Sequence, residues 1–114
     1  MAEIKKVNET VGTQTIAGHE VSVDAEGFMT VYDEWDETLG AELAKLIGVE
    51  MTDESWGPIR FLRTDYVERG ETATLRRVGT VGGFPIPKLF EWFPGKPAKK
   101  MAYIAGLPKP TGCV

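Results

Sequence analysis

The chain has a single cysteine, Cys113, among 114 residues. One cysteine cannot form an internal disulfide, so covalent cross-links do not hold this fold together. The fold must therefore rest on a hydrophobic core, and a chain of this length can bury one as a single domain over residues 1–114. Its apolar fraction of 42% and charged fraction of 26% are typical of a globular protein.

The pattern along the chain predicts a mainly α protein, a small helical bundle with an N-terminal β-hairpin. Two short β-branched runs on either side of Gly18 predict a hairpin over 13–23. Apolar residues at helical spacing predict one helix over 35–47 and another from an N-cap at Thr52 to Gly70. Shorter helices are expected over 73–78, 88–93 and 98–105, with a loop over 80–87.

Both ends of the chain are expected to be less ordered than the middle. Residues 1–12 carry no periodic pattern and are expected to be loose. Residues 106–114 contain two glycines and two prolines, which exclude a helix. We expect this segment to form an extended, mobile C-terminal arm that reaches up to about 30 Å. An ordinary disordered tail is the alternative.

Cys113 is the candidate catalytic residue, as a sulfur-carrying thiol. A cysteine so close to the end of the sequence is rarely buried, and the reactivity of a thiol depends on its exposure and its pKa. A flexible arm suits a group carrier that delivers sulfur into the active site of another protein. The alternative is a small buried hydrophobic residue.

Lysines and arginines near the arm are candidates for steadying an anion or docking a partner. Lys109 lies on the arm itself and favours a thiolate at Cys113, whereas the carboxylate of Val114 disfavours it, so the sign of the net effect stays open. A single basic face near the base of the arm is expected, with a merely solvated face as the alternative. Its candidate members are Arg76, Arg77, Lys96, Lys99 and Lys100.

Other chemistry-bearing side chains are interpreted as structural. Phe90, Trp92 and Phe93 are expected in the core, with a partner-binding patch as the alternative. His19 is expected in a turn or on the surface. With one cysteine and one histidine, we expect no metal site, and because no Gly-rich phosphate loop is present we expect no cofactor.

Charge and hydropathy limit the classes of partner. A formal net charge of −4 argues against binding nucleic acid by broad phosphate neutralisation. No apolar run approaches the length needed to span a bilayer, and the first residues lack the apolar stretch of a signal peptide. We therefore expect a cytoplasmic protein that is monomeric and does not bind membranes.

The last residues carry a resemblance to a known family. The run Ile-Ala-Gly-Leu-Pro-Lys-Pro-Thr-Gly-Cys-Val over 104–114 resembles the ending of the DsrC/TusE family of sulfur-relay proteins. Weaker similarities bring the resemblance to residues 15–114. They lie at 24–28 with Trp35, at 51–66, at Arg76 and at 93–99.

The resemblance implies a mostly helical fold with a small N-terminal hairpin and a mobile C-terminal arm. It implies that Cys113 carries sulfur as a persulfide or forms a mixed disulfide with a partner. Members of the family pass sulfur toward tRNA thiolation or act with dissimilatory sulfite reductase. Others are linked to heterodisulfide-reductase-like complexes or to regulation.

The sequence departs from the family pattern in two places. Members that work with sulfite reductase have a second arm cysteine, which would fall at Ala102, so a disulfide between two arm cysteines is impossible here. The alanine is either natural or an engineered replacement. The stretch from Arg76 to Phe93 is also shorter than the family pattern, with Gly-Gly-Phe-Pro over 82–85 where a helix is expected. This favours a divergent DsrC-like paralogue and puts the usual docking surface in doubt.

These observations together predict a sulfur carrier that accepts and donates sulfane sulfur on Cys113, with Lys109 and Arg76 steadying anionic sulfur. Such a protein is a co-substrate of sulfur-donor and sulfur-acceptor proteins rather than a stand-alone enzyme. One alternative is a regulatory module whose thiol senses redox or sulfur state. Another is an accessory subunit that docks on a reductase complex without turning over sulfur.

Overall fold

The computed structural model describes residues 10–111. Two antiparallel strands, β1 and β2, are followed by a short 3₁₀ helix and then by five α-helices. The strands are β1 Gly12–Ile16 and β2 His19–Val23, and the 3₁₀ helix is Tyr32–Glu34. The α-helices are α1 Glu37–Leu46, α2 Trp56–Arg69, α3 Leu75–Thr80, α4 Ile86–Trp92 and α5 Pro97–Ile104. The prediction of a small helical protein with an N-terminal hairpin is confirmed.

The hairpin pairs Gly12 with Val23 and Ile16 with His19. Its turn has positive φ at both central residues, 51° at Ala17 and 85° at Gly18, as a tight two-residue turn requires. β1 begins at residue 12, inside the segment predicted to be loose. Residues 1–9 lie outside the described part of the chain.

The second long helix begins three residues later than predicted, with Ser55 rather than Thr52 at the N-cap position. The hydroxyl of Thr52 accepts a hydrogen bond from the Ser55 amide at 3.2 Å, and the Ser55 hydroxyl accepts one from the Thr52 amide at 2.8 Å. These reciprocal bonds close a turn over residues 52–55, and α2 follows at Trp56. Pro58 falls in the first turn of α2, where a missing N–H costs no helical hydrogen bond.

The three short helices also lie a few residues from their predicted positions. Thr74 caps α3 by accepting a hydrogen bond from the Arg77 amide, which places the start of that helix at Leu75. Pro85 precedes α4, so the predicted loop ends there. Phe93 is fully buried, as expected. The prediction that Phe90 lies in the core is wrong, because Phe90 is on the outer side of α4 with 45% of its surface exposed.

Two groups of apolar side chains form the core. The larger one lies between α2 and α5 and contains Ile59, Leu62, Phe93, Met101 and Ile104. The smaller one packs the hairpin on α1 through Val21, Met29, Leu39 and Leu43. The indole of Trp35 contacts both groups and therefore joins them.

The first residues of the predicted arm pack against the body, which differs from the free segment expected from sequence. Gly106 adopts φ of 69° and ends α5. Its amide donates to the Tyr103 carbonyl, and the Leu107 amide donates to the Ala102 carbonyl, which is a Schellman motif. This geometry turns the chain back and buries Leu107 completely. Two glycines and two prolines predict the absence of a helix, but not the direction in which the chain leaves α5.

We call residues 106–111 the arm base. Gly106, Leu107, Pro108 and Pro110 are buried, and the Thr72 hydroxyl donates a 2.8 Å hydrogen bond to the Pro108 carbonyl. The mobility predicted for residues 106–114 therefore stays a prediction only for residues 112–114, which lie outside the described part of the chain.

None of the helices between residues 10 and 111 is long and apolar enough to cross a membrane.

The two Schellman glycines allow a matched test of the packing at Gly106. A Cβ at Gly106 would collide with the Trp35 ring, whereas a Cβ at Gly48, with φ of 74° in the same motif at the end of α1, meets no atom within 4 Å. We expect Gly48→Ala to lower the free energy of unfolding by about 1 kcal/mol through backbone strain alone. Gly106→Ala should lower it by at least about 2 kcal/mol because the ring must also move.

Urea denaturation of both variants measures this difference. Equal losses of stability in the two variants would show that the arm base does not pack on Trp35.

Candidate functional site

The carbonyls at the end of α5 are bound by side chains from elsewhere in the chain. The last carbonyls of a helix have no partner within the helix. Here the Trp35 indole N–H donates to the Ile104 carbonyl at 2.8 Å. One guanidinium nitrogen of Arg63 donates to the Ala105 carbonyl at 3.1 Å. We call Trp35 and Arg63 the arm anchor, because these bonds fix the point from which the arm base departs.

Arg63 is itself fixed between two aromatic rings. Its guanidinium carbon lies 3.7 Å from the centroid of the Tyr32 ring and 4.2 Å from that of Trp35. A second guanidinium nitrogen donates to the Tyr32 carbonyl at 3.0 Å. Burial lowers the pKa of Arg63 below its ordinary value. An arginine stays charged at neutral pH even so, and hydrogen bonds from a charged donor are among the stronger ones in proteins.

The sequence places Arg63 on the second long helix and within the family resemblance at 51–66, but it gives this arginine no role. The preceding Phe-Leu pair and the helical spacing mark its position on α2, but they do not reveal which carbonyls it binds. The carbonyls of Ala105 and Tyr32 lie 42 and 31 residues away along the chain, and local patterns carry no information about contacts at such separations.

Lys109 is held by a carboxylate. Its ammonium lies 2.9 and 3.0 Å from the two carboxylate oxygens of Glu26, in the turn after β2. The hydrogen bond from Lys109 is the main reason why the pKa of Glu26 lies below its ordinary value, and the charge of Lys99 adds to it. In the role predicted for Lys109, anionic sulfur would therefore have to share the ammonium with the Glu26 carboxylate or displace it.

Lys99 and Lys100 line one recess together with Lys96, at the start of α5. Phe28, Tyr103 and Glu26 contribute to the same recess, which has a volume of about 540 Å³. We call it the lysine recess. Because Glu26 forms part of its wall and also binds Lys109, the recess lies beside the arm base.

Arg76 does not join these lysines in a common site. It lines a separate apolar groove of about 550 Å³ with Phe84 and Ile86. Its neighbour Arg77 bonds the buried carboxylate of Asp65 at 2.7 and 2.9 Å, and this bond raises the pKa of Arg77. Arg77 is thus part of the α2–α3 packing. The structure brings together the lysine half of the predicted basic face and separates the arginine half from it.

Cys113 lies outside the described residues, and so its role stays a prediction. Thr111 is the last residue described. Ala102, where a second arm cysteine would fall, lies within α5 and is fully buried.

Comparison with known proteins decides the family. The family model described as DsrC like protein matches residues 15–114. The chain belongs to this DsrC-like family.

Individual relatives and solved structures agree with the family match. The sulfurtransferase TusE of Sodalis glossinidius is 34% identical over 104 residues, which cover 85% of this chain and 96% of TusE. The NMR structure of Allochromatium vinosum DsrC matches with a TM-score of 0.74 at 35% identity and covers 90% of this chain and 98% of DsrC. A chain in the crystal structure of dissimilatory sulfite reductase I (DsrI) matches with a TM-score of 0.77 at 31% identity. The match covers 90% of this chain and 100% of the DsrI chain.

These matches confirm two predictions from the sequence, a member of the DsrC/TusE family and a sulfur-relay function. The fold of the solved relatives also agrees with the helical body described above. The matches do not test the roles of individual site residues.

Removing the guanidinium of Arg63 tests the arm anchor. Arg63→Met keeps much of the apolar stem but leaves the Ala105 and Tyr32 carbonyls without this donor. We expect the free energy of unfolding to fall by about 2 kcal/mol, measured by urea denaturation. Arg60→Met is the matched control, because Arg60 lies on the same helix and pairs with Glu37 on the surface, where ion pairs contribute little. Losses of similar size in both variants would contradict the anchor.

The Lys109–Glu26 pair makes a separate, pH-based prediction. Because Lys109 lowers the pKa of Glu26, the pair stabilises the fold at neutral pH and loses that contribution as the pH falls through the lowered pKa. Lys109→Gln should raise the pKa of Glu26 most of the way to its ordinary value, as followed by carboxyl ¹³C NMR. Lys88→Gln on α4, a residue that does not contribute to the lowered pKa of Glu26, should leave that pKa unchanged. An unaltered Glu26 pKa in Lys109→Gln would show that the pair does not form in solution.

Proposed function

We propose that this DsrC-like protein carries sulfane sulfur as a persulfide on Cys113, receiving it from one protein and passing it to another. The observation that carries the proposal is the match of the family to residues 15–114, which includes the cysteine-bearing run at 104–114. The TusE relative is called a sulfurtransferase. Since the sequence contains one cysteine, the sulfur atom of Cys113 is the candidate carrier of the transferred sulfur.

The chemical step is an exchange at sulfur. The thiolate of Cys113 attacks the outer sulfur of a donor persulfide. The bond between the two donor sulfurs breaks, and its electron pair leaves on the donor thiolate. One S–S bond forms as another breaks, so the step consumes neither an oxidant nor a reductant. Transfer to an acceptor thiolate repeats the same exchange with Cys113 as the leaving group.

Anchoring of the arm base limits how far Cys113 reaches. If the arm base stays packed through Pro110, the three residues from there to Cys113 extend at most about 10 Å. The full arm predicted from sequence would extend about three times as far. We therefore propose that the donor and acceptor bring their reactive sulfur close to the surface of the body, rather than receiving a long arm in a deep channel.

Alanine at position 102 restricts the chemistry further. Without a second cysteine, a Cys113 persulfide cannot resolve into an internal disulfide and must be taken up by a partner thiol. We propose cytoplasmic sulfur-donor and sulfur-acceptor proteins as these partners. Both tRNA thiolation and dissimilatory sulfur metabolism fit this relay, and the DsrI similarity supports a reductase complex as one kind of acceptor.

Mass spectrometry of the intact protein tests the proposal. Incubation with inorganic polysulfide, and separately with a persulfidated sulfurtransferase, should add about 32 Da for one sulfur atom. The gain should disappear on reduction with dithiothreitol and should be absent in Cys113→Ala. No gain with either donor, or an equal gain in Cys113→Ala, would contradict the proposal.

A further inference from the structure

The lysine recess beside the arm base is not explained by the packing of the fold. We propose that it is a docking site for the protein that exchanges sulfur with Cys113, and that it receives a segment of that partner in which acidic residues flank apolar ones. This inference rests on the proposed function and adds the chemistry of the partner.

The lysine recess carries positive charge that the described part of the fold does not neutralise. Lys96, Lys99 and Lys100 form no ion pair with any carboxylate in the part of the chain between residues 10 and 111. Glu26, which lines the same recess, has its charge matched by Lys109. The recess thus carries the positive charge of three lysines on a chain whose formal net charge is −4. A local positive region on an acidic protein selects an acidic partner and repels a basic one.

The lysine recess also has an apolar surface. Phe28 and Tyr103 meet edge to face, with ring centroids 5.8 Å apart, and Ile47 and Pro94 extend this surface. Tyr103 and Ile47 are partly exposed, so their apolar atoms face the open recess. A purely ionic ligand gains nothing from such a surface, whereas an apolar side chain gains free energy by covering it.

The position of the lysine recess suits a partner of Cys113. Glu26 joins the recess to Lys109, which lies four residues before Cys113. Since a packed arm base leaves the thiol a reach of about 10 Å, a productive partner must bind next to the arm base. The recess meets that requirement. It is also open to solvent along its lysine rim, as suits a protein segment better than an enclosed small molecule.

A peptide probe tests the chemistry directly. The probe is a six-residue peptide, acetylated and amidated at its ends, with a Leu-Phe pair flanked on each side by Asp and Glu. Added to the full ¹⁵N-labelled chain, it should shift the amide signals of Lys99, Lys100 and Tyr103. The same peptide with Asn and Gln in place of the acids should bind at least about tenfold more weakly, and salt should weaken the acidic peptide.

Charge reversal supplies the matched variants. The double change Lys99→Glu with Lys100→Glu should weaken peptide binding at least about tenfold, because it places like charges opposite each other. Arg60→Glu with Lys88→Glu changes the net charge equally, and neither residue lines the recess, so it should change binding by less than about twofold.

Several results would overturn the inference. Signals that shift at Arg76 and Phe84 instead would assign docking to the other groove. Binding that ignores salt or the acidic residues would remove the charge argument, and no binding at millimolar peptide would remove the site. Polysulfide loading of the unaltered chain, measured in parallel, reports on the proposed function alone, so its failure is distinguishable from a failure of docking.

Discussion

The contact of Arg63 and Trp35 with the carbonyls at the end of α5 ties the parts of this protein together. Trp35 packs against both halves of the core, and its indole donates to Ile104. Arg63 reaches from α2, between the rings of Tyr32 and Trp35, to the Ala105 carbonyl. The hairpin half, the central helix and the last helix therefore meet at one point. The Schellman turn at Gly106 starts from that point, and so the exit direction of the arm base depends on it.

This constraint changes how a sulfur carrier of this kind works. A long free arm would lose much conformational entropy whenever it entered a partner. Here the arm base is already packed on the body, through Leu107, the Thr72–Pro108 hydrogen bond and the Lys109–Glu26 pair. The entropy of the arm base is therefore lost when the protein folds, rather than when it binds a partner. The consequence is a short reach, which moves the burden of recognition to the body surface. In the docking that we propose, the lysine recess provides this recognition.

Sequence patterns predicted the hairpin, the helices and the family, because those depend on local periodicity, turn residues and a contiguous motif. They missed what depends on long-range packing. The pattern of glycine and proline over 106–111 excluded a helix correctly but could not show that Gly106 directs Leu107 into the core. Adjacent arginines look equivalent in sequence, yet Arg77 bonds buried Asp65 while Arg76 lies on an exposed groove. Phe90 and Phe93 likewise differ only in which side of α4 they occupy.

Backbone ¹⁵N relaxation of the full chain most directly tests the central claim, that the arm base belongs to the rigid body. We expect order parameters of about 0.85 for the amides of Gly106, Leu107 and Lys109, which match those of α5. Order parameters below about 0.6 from Gly106 onward would contradict it, because the whole arm would then move freely and close docking would not be required.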